Sequence, residues 1–474
     1  MRPENDIRAA SIESSAVRTY FDYAATSPLH DEVLAAYTDE LRRVGNASSL
    51  HAEGQSARMR MEAARGRIAR AVGAEPAEVV LTSGGTEADN LALKGIHAAR
   101  NAQGVSRPRV LVSTIEHHAV LEPAEHLESL GVDVVWLPVD RQGKLDVQAF
   151  RDAVDEDPSA VSVISVMLAN NEIGTVQPLE DVVAHARAHG IPVHTDAVQA
   201  LGQIPLDFRA LGVDAMSLSA HKVGGPVGVG ALVLGRHLAP VPILHGGGQE
   251  RSVRSGTLDV AGATAFAAAA ELAASHITDG TAARMADLRD RLAGGIRSRI
   301  PDAILTGAGG TETDDPDGEH TGTEHTGTDR AGRLPGNLHV VFPGCEGDSL
   351  LFLLDASGFA TSTGSACQAG VSRPSHVLLA CGFDEDQARS TQRFSLGPDT
   401  TVEQIDALLD VLPDIVTRSR RAGMVSASPR WAETPDAAAP AVPGHSGERA
   451  ETRRPQSGMR PSAADTNTAP GGAG

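Results

Sequence analysis

Val79-Val80-Leu81-Thr82-Ser83-Gly84-Gly85-Thr86-Glu87-Ala88-Asp89-Asn90 passes from a short β-prone apolar run, through paired glycines, into an acidic first helical turn. With apolar residues at helical spacing over 87–99, it reads as a strand feeding directly into a helix. The same alternation spreads outward. Strands are expected at 79–82, 110–113, 132–137, 161–166, 192–194, 213–218 and 230–234, and helices at 87–99, 120–130, 147–154 and 179–188. Strand–helix alternation implies a mostly parallel sheet with helices on both faces, an α/β fold in which ligands bind at the carboxyl ends of strands. From 264 a long helical stretch leads to a smaller α+β region over roughly 302–422. There strands are expected at 337–342 and 393–395 and helices at 347–357 and 402–412.

Composition narrows the classes of function. The chain has 474 residues and a formal net charge of −20, which disfavours nucleic acid or an anionic membrane as direct partner. Its three cysteines, Cys345, Cys367 and Cys381, form no CxxC pair. Structural disulfides and an intrinsic metal cage are therefore not expected, and a reducing compartment is. Residues 1–19 mix charges and lack an apolar signal core. The alanine-rich stretch 261–274 contains Thr264 and Glu271 and is too short to span a bilayer. The expectation is a cytoplasmic protein. Residues 307–332 are polar, glycine-rich and repeat Glu-His-Thr-Gly-Thr from Glu319 and Glu324. They read as a flexible surface insertion, with His320 and His325 solvated, and 426–474 read as a disordered tail.

Several polar groups fall where the alternation puts strand ends. Ser83–Glu87 opens a helix and suits a phosphate cradle, although an ordinary N-cap has the same appearance. Asp196 follows the strand at 192–194, where a carboxylate serves a pyridinium nitrogen or merely caps a helix. Lys222, in Ser219-Ala220-His221-Lys222-Val223-Gly224-Gly225-Pro226, sits beside small residues that allow an amine to be desolvated, as a Schiff-base lysine requires. In a glycine-rich turn a surface lysine is the competing reading. Cys367 lies in Thr361-Ser362-Thr363-Gly364-Ser365-Ala366-Cys367-Gln368-Ala369-Gly370, a run too small and polar to build a core. An exposed reactive thiol is expected there, whereas Cys381 and Cys345 read as buried small hydrophobes.

Thr86, Asp196 and Lys222, in that order, resemble the large domain of fold type I pyridoxal-phosphate enzymes. More specific matches are Phe21-Asp22-Tyr23-Ala24-Ala25-Thr26-Ser27-Pro28, Gly45-Asn46-Ala47-Ser48-Ser49-Leu50-His51, Glu116-His117-His118-Ala119-Val120, Asn170-Asn171-Glu172-Ile173-Gly174, His245-Gly246-Gly247-Gly248-Gln249-Glu250, Arg254-Ser255-Gly256-Thr257 and Gly364-Ser365-Ala366-Cys367. From near residue 20 to about 420 the ordered series resembles the cysteine desulfurases of group I, class-V aminotransferase-like enzymes.

The resemblance implies a large pyridoxal-phosphate-binding domain over 20–263 after an N-terminal extension, 1–19. A connecting helix and small domain would follow over 264–425. It implies that Lys222 anchors the cofactor and moves protons at the substrate Cα, that His117 stacks on the ring as acid or base, and that Asp196 pairs with the pyridine nitrogen. Gln199 and Asn171 would address the phenolate oxygen and the substrate side. Gly85, Thr86, Ser219 and His221 would hold the phosphate, and Thr257 would add a contact, which the family's homodimer allows to come from the neighbouring subunit. Arg393 would grip the substrate α-carboxylate. Cys367 would attack the sulfur of L-cysteine, leaving a persulfide and L-alanine. The sulfur would pass to an iron–sulfur scaffold, where Cys367 could transiently ligate a cluster, or to a tRNA-thiolation enzyme. A selenocysteine lyase would keep the same cofactor set. A non-catalytic sulfur-relay protein would be expected to lack Lys222 or Cys367. The chain departs from the family in the Gly84-Gly85-Thr86 loop, which has Gly where Ala is commoner, at Ala220 for a frequent Gly, and at Ala47 for Pro.

Overall fold

The computed structural model describes residues 18–102, 106–309, 332–364 and 374–426. Its elements are β1 Thr19–Tyr20, α1 Asp31–Leu41, α2 Ala52–Ala71, β2 Val79–Thr82, α3 Gly85–Arg100, β3 Arg109–Ser113, α4 His118–Ser129, β4 Asp133–Leu137, α5 Val147–Glu156, β5 Val161–Ser165, α6 Leu179–Ala188, β6 Val193–Asp196, α7 Phe208–Leu211, β7 Ala215–Ser219, β8 Gly230–Leu234 and α8 Val260–Ser275. Then come α9 Thr281–Arg299, β9 Ile304–Leu305, β10 Asn337–Val341, α10 Gly347–Ala356, β11 Phe359–Ala360, α11 His376–Ala380, α12 Glu385–Arg389, β12 Thr391–Ser395 and α13 Val402–Ser426.

Seven strands form the main sheet in the order β2-β8-β7-β6-β5-β3-β4. The pairs from β7 to β4 are parallel, and β8 alone runs antiparallel to both its neighbours, β2 and β7. The expected doubly covered sheet is therefore present. Strands β2, β5, β7 and β8 are buried along their whole length; β2 and β8 accordingly read as nearly continuous apolar runs, whereas β5 and β7 carry buried serines, Ser162, Ser165, Ser217 and Ser219. One face packs on Ile68 and Met61 of α2, Phe150 of α5, Val182 of α6 and Phe266 of α8. The other packs on Leu91 and Leu93 of α3 and on Val120 of α4.

Three features depart from the sequence reading. Helices α1 and α2 occupy 31–41 and 52–71, where no element was expected. The buried face of α2 is built from Gly54, Ala57, Met61, Ala64 and Ile68, so small residues blur its apolar period. Helix α8 packs on α1 and α2 in the core of the main sheet, although 264 onward was read as the connection to the smaller region. Its alanines let the backbones approach closely. The chain start also crosses over. Thr19 and Tyr20 pair with Phe359 and Ala360, and Phe21 is buried in the second core with Phe359 and Phe394.

That second core lies between the antiparallel sheet β12-β10-β9 and helices α9, α10 and α13. Gly307 and Ala308, the first residues of the expected flexible insertion, are buried. The Ala308 N–H donates to Thr175 Oγ1 and its carbonyl accepts from Arg333 Nε. Of the expected insertion 307–332, residues 310–331 lie outside the described residues, as does the expected tail 426–474 apart from Ser426, which ends α13. Among the described residues no helix is long and apolar enough to cross a membrane.

Candidate active site

The carboxyl ends of β2, β6 and β7 open on a cavity of about 350 Å³. Gly85, Thr86, His117, Asn171, Asp196, Gln199, Ser219, His221, Lys222 and Arg393, expected from the sequence to act together, all line it. They come from elements up to 308 residues apart, brought together because β6 and β7 are adjacent and α3 follows β2 onto the same edge.

Gly85 and Thr86 are the first residues of α3, whose N-cap, Gly84, supplies no side-chain acceptor for the first-turn N–H groups. The first-turn acid Glu87 is drawn aside by Arg254 at 2.7 Å and by the Ser83 N–H at 2.7 Å. The helix end therefore keeps its donors and positive dipole for an anion. Beside it, Ser219 Oγ is buried without a hydrogen-bond partner. His221 shares a 2.7 Å hydrogen bond with Thr26 Oγ1. An orphan hydroxyl next to an uncapped helix N-terminus fits the phosphate of a cofactor.

Lys222 follows β7 in a single helical turn that ends at Gly224 in the left-handed conformation. Its Nζ donates to the carbonyls of Ala24 at 2.6 Å and Ala25 at 2.9 Å. Burial, helped by the Arg393 charge and opposed by Asp196 and Asp22, brings its pKa down to about 8. About a tenth of the amine is then unprotonated at pH 7, against less than about a thousandth for an ordinary lysine. Gln199 Nε2 donates to the same Ala24 carbonyl at 3.0 Å.

Asp196 ends β6, and its Oδ1 accepts from the Val198 N–H at 2.8 Å. Burial raises its pKa to about 6. Behind it stands Asp89, 1% exposed, pushed well above the usual carboxylate range by burial and then by Asp196. Burial and the neighbouring carboxylate thus disfavour the charged form of Asp89 and leave Asp196 the more acidic of the two, an environment-driven division between two carboxyls. His194, two residues before Asp196 on β6, lies beside Asp89. It is fully buried, lies 3.5 Å from Asp89 Oδ1, and is bonded to Ser165 and Ser217 at 2.9 and 3.0 Å. Burial lowers it to about 3, so it is neutral.

His117 is the N-cap of α4. Its Nδ1 accepts from the Ala119 N–H at 3.1 Å, which leaves the ring proton on Nε2. Burial first, and then Lys222, lower its pKa to about 4. Arg393, on β12, donates from Nη2 to Asp22 Oδ1 at 2.8 Å and from Nη1 to the Asn171 carbonyl at 3.0 Å. Its Nε is buried without a partner. The fork expected to face a carboxylate is thus partly engaged by the protein.

Thr257 is exposed and does not line this cavity. Cys367 lies outside the described residues, although Gly364, three positions before it, is part of the cavity wall. Asp89, His118 and His376 also line the cavity and were not assigned roles in it from the sequence. For Asp89 a signal exists: it follows Gly85 by four residues on one helix face. His376 reaches the site through a 3.0 Å bond to the Glu116 carbonyl and a ring contact with His118 at 5.1 Å. Sequence spacing carries no trace of that.

The chain matches the model of the "Aminotransferase class-V" family over residues 19–309 and 319–408. It is 48% identical over 409 residues to the "IscS-like cysteine desulfurase" of Mycobacterium tuberculosis, covering 86% of this chain and 98% of that protein. It is 41% identical to "Cysteine desulfurase IscS" of Dictyoglomus turgidum, covering 85% and 95%. Among solved structures, a "NIFS-LIKE PROTEIN" superimposes with a TM-score of 0.73 at 34% identity, covering 85% of this chain and all of that one. SspA in complex with cysteine superimposes with a TM-score of 0.64 at 32% identity, covering 81% and 100%.

Proposed function

Because this chain belongs to the class-V aminotransferase family and, within it, to the cysteine desulfurases, we propose that its cavity holds pyridoxal phosphate and L-cysteine and that Cys367 takes up the sulfur. The observation that carries this is Lys222, an amine lowered to about 8 at the wall of the cavity that the phosphate, ring and carboxylate candidates share. When bound, pyridoxal phosphate supplies a carbonyl that condenses with amines and a ring that withdraws electrons.

The α3 N-terminus, Ser219 Oγ and His221 take the phosphate. Ionised Asp196 holds a proton on the ring nitrogen, and Gln199 addresses the phenolate oxygen. Arg393, oriented by Asp22 and by Asn171, receives the substrate carboxylate. His117, whose Nδ1 caps α4 and whose proton is therefore on Nε2, would stack on the ring as acid or base, and Lys222 would move the proton at the substrate Cα. Cys367 follows the cavity-lining Gly364 by three positions in the chain. Its thiolate attacks the substrate sulfur. The S–S bond forms as the Cβ–S bond breaks, the electron pair stays on the carbon skeleton, and protonation at Cβ makes the methyl group of alanine.

SspA, solved with cysteine, supports the choice of substrate. The persulfide then goes to an acceptor protein, an iron–sulfur scaffold or a tRNA-thiolation enzyme, in the cytoplasm. A homodimer would let Thr257 reach the phosphate of the neighbouring site.

The test compares wild type, Lys222→Ala and Cys367→Ser by visible absorption and by sulfide and alanine release from L-cysteine. Wild type should bind the cofactor and release both products. Lys222→Ala should release neither, and Cys367→Ser should bind cofactor yet form no enzyme persulfide. Full persulfide transfer by Cys367→Ser would refute the nucleophile, and a wild type that stays colourless with added cofactor would refute the cofactor.

A further inference from the structure

At the opposite edge of the main sheet, Asp155 in the last turn of α5 meets two histidines of α6, His185 in its last turn and His189 at its C-cap. Four residues apart, the histidines project from one face of the helix. Both direct Nε2 at a single oxygen, Asp155 Oδ1, at 2.9 Å from His185 and 3.3 Å from His189. The ligating atoms of all three lie within 4.8 Å of one another. The imidazoles are 5.2 Å apart at an interplanar angle of 63°. Phe150 packs edge-on against His185, with ring centroids 5.8 Å apart. Arg151 and Asp181 bridge the same two helices at 3.0 Å.

We propose that Asp155, His185 and His189 form a binding site for a divalent transition-metal ion such as Zn²⁺. A 3.3 Å separation is long for an N–H···O bond but equals the edge, about 3.3 Å, of a tetrahedron with bonds of about 2.0 Å. Two imidazoles and one carboxylate favour zinc, nickel or copper over magnesium and calcium, which prefer all-oxygen shells. Three protein ligands leave the remaining position to water.

The site is remote from the catalytic cavity by topology. Asp155 and His189 precede the starts of β5 and β6 at Val161 and Val193, whereas Asp196 ends β6 and Asn171 lies beyond the end of β5. A bound ion would tie α5 to α6 and stabilise the folded chain by mass action. It would take no part in sulfur transfer.

Calorimetric titration of the holoenzyme with Zn²⁺ tests this, alongside His189→Gln at an exposed position and His185→Gln, which is partly buried against Phe150 and whose folding is checked by circular dichroism. The expected result is one Zn²⁺ per chain at micromolar affinity or tighter, weakened at least about 10–100-fold in each variant. Alanine production by the metal-free variants should equal that of wild type. Co²⁺-loaded wild type should show d–d absorption without thiolate charge transfer, separating this site from Cys367, and both variants should lose it. Millimolar binding by wild type, or unchanged binding in both variants, would mean a histidine–carboxylate ion pair only and would overturn the inference.

Discussion

Lys222 shows how a single residue's environment sets its chemistry. Its amine is held by two main-chain carbonyls and lowered to about 8 by burial and by Arg393. Only the neutral amine attacks a carbonyl, so cofactor uptake by the apoenzyme should rise with pH, about tenfold per unit below 8, and level off above it. The growth of visible absorbance after mixing measures this, and a rate flat between pH 6 and 8 would contradict it. Asp89 gives a second prediction. If it is protonated in the fold, Asp89→Asn removes no charge and should change stability by no more than about 1 kcal/mol in urea denaturation. A loss of about 3 kcal/mol or more would mean that an ionised, paired carboxylate had been removed. Lys222 was legible in the sequence because its neighbours are small and its motif partners lie in order. The raised pKa of Asp89 was not, because it depends on Asp196 and on burial between α3 and the sheet.

Elements explain motif residues that do no chemistry. Glu250 closes the His245-Gly246-Gly247-Gly248-Gln249-Glu250 run, and in the fold it is 1% exposed and bound through both oxygens to Arg65 of α2 at 2.7 and 2.8 Å. It also accepts the Leu81 N–H of β2 at 3.2 Å, while Arg65 donates to the Val79 carbonyl at 2.8 Å. This pair fastens the loop after β8 to the strand that leads into the phosphate turn. Arg254 does the same for α3 through Glu87. Glu250→Ala would strip the buried Arg65 of its two-oxygen partner, leaving it only the half-exposed Glu62 at 3.2 Å, and should cost about 3 kcal/mol. Chemical denaturation measures it, and a loss below about 1 kcal/mol would show the pair to be hydrated. The strands of the main sheet were readable because both faces are buried and their apolar runs are short. Helix α2 was not, since Gly54, Ala57 and Ala64 pack closely without a strong apolar period.

The molecule as a whole places its cavity between two apolar cores. The main sheet contributes Lys222 and Asp196, and the second core's sheet contributes Arg393. The stretch from Thr19 to Asp22 ties them together. β1 pairs with β11, Phe21 is fully buried in the second core, and Asp22 holds Arg393. Phe21→Ala should therefore cost about 3–5 kcal/mol in denaturant. It should also raise KM for L-cysteine more than it lowers kcat, because the carboxylate fork loses its anchor. An unchanged KM in a destabilised variant would disconnect β1 from the site. By itself the sequence determined the strand–helix alternation, the parallel sheet and the residue types that meet at its carboxyl edge, since apolar period and short motifs are local properties. Tertiary structure alone decided which residues pair across hundreds of positions. Burial shared between distant segments lowers Lys222, divides Asp89 from Asp196, and turns half of the Arg393 fork toward the protein, and no local spacing encodes that burial.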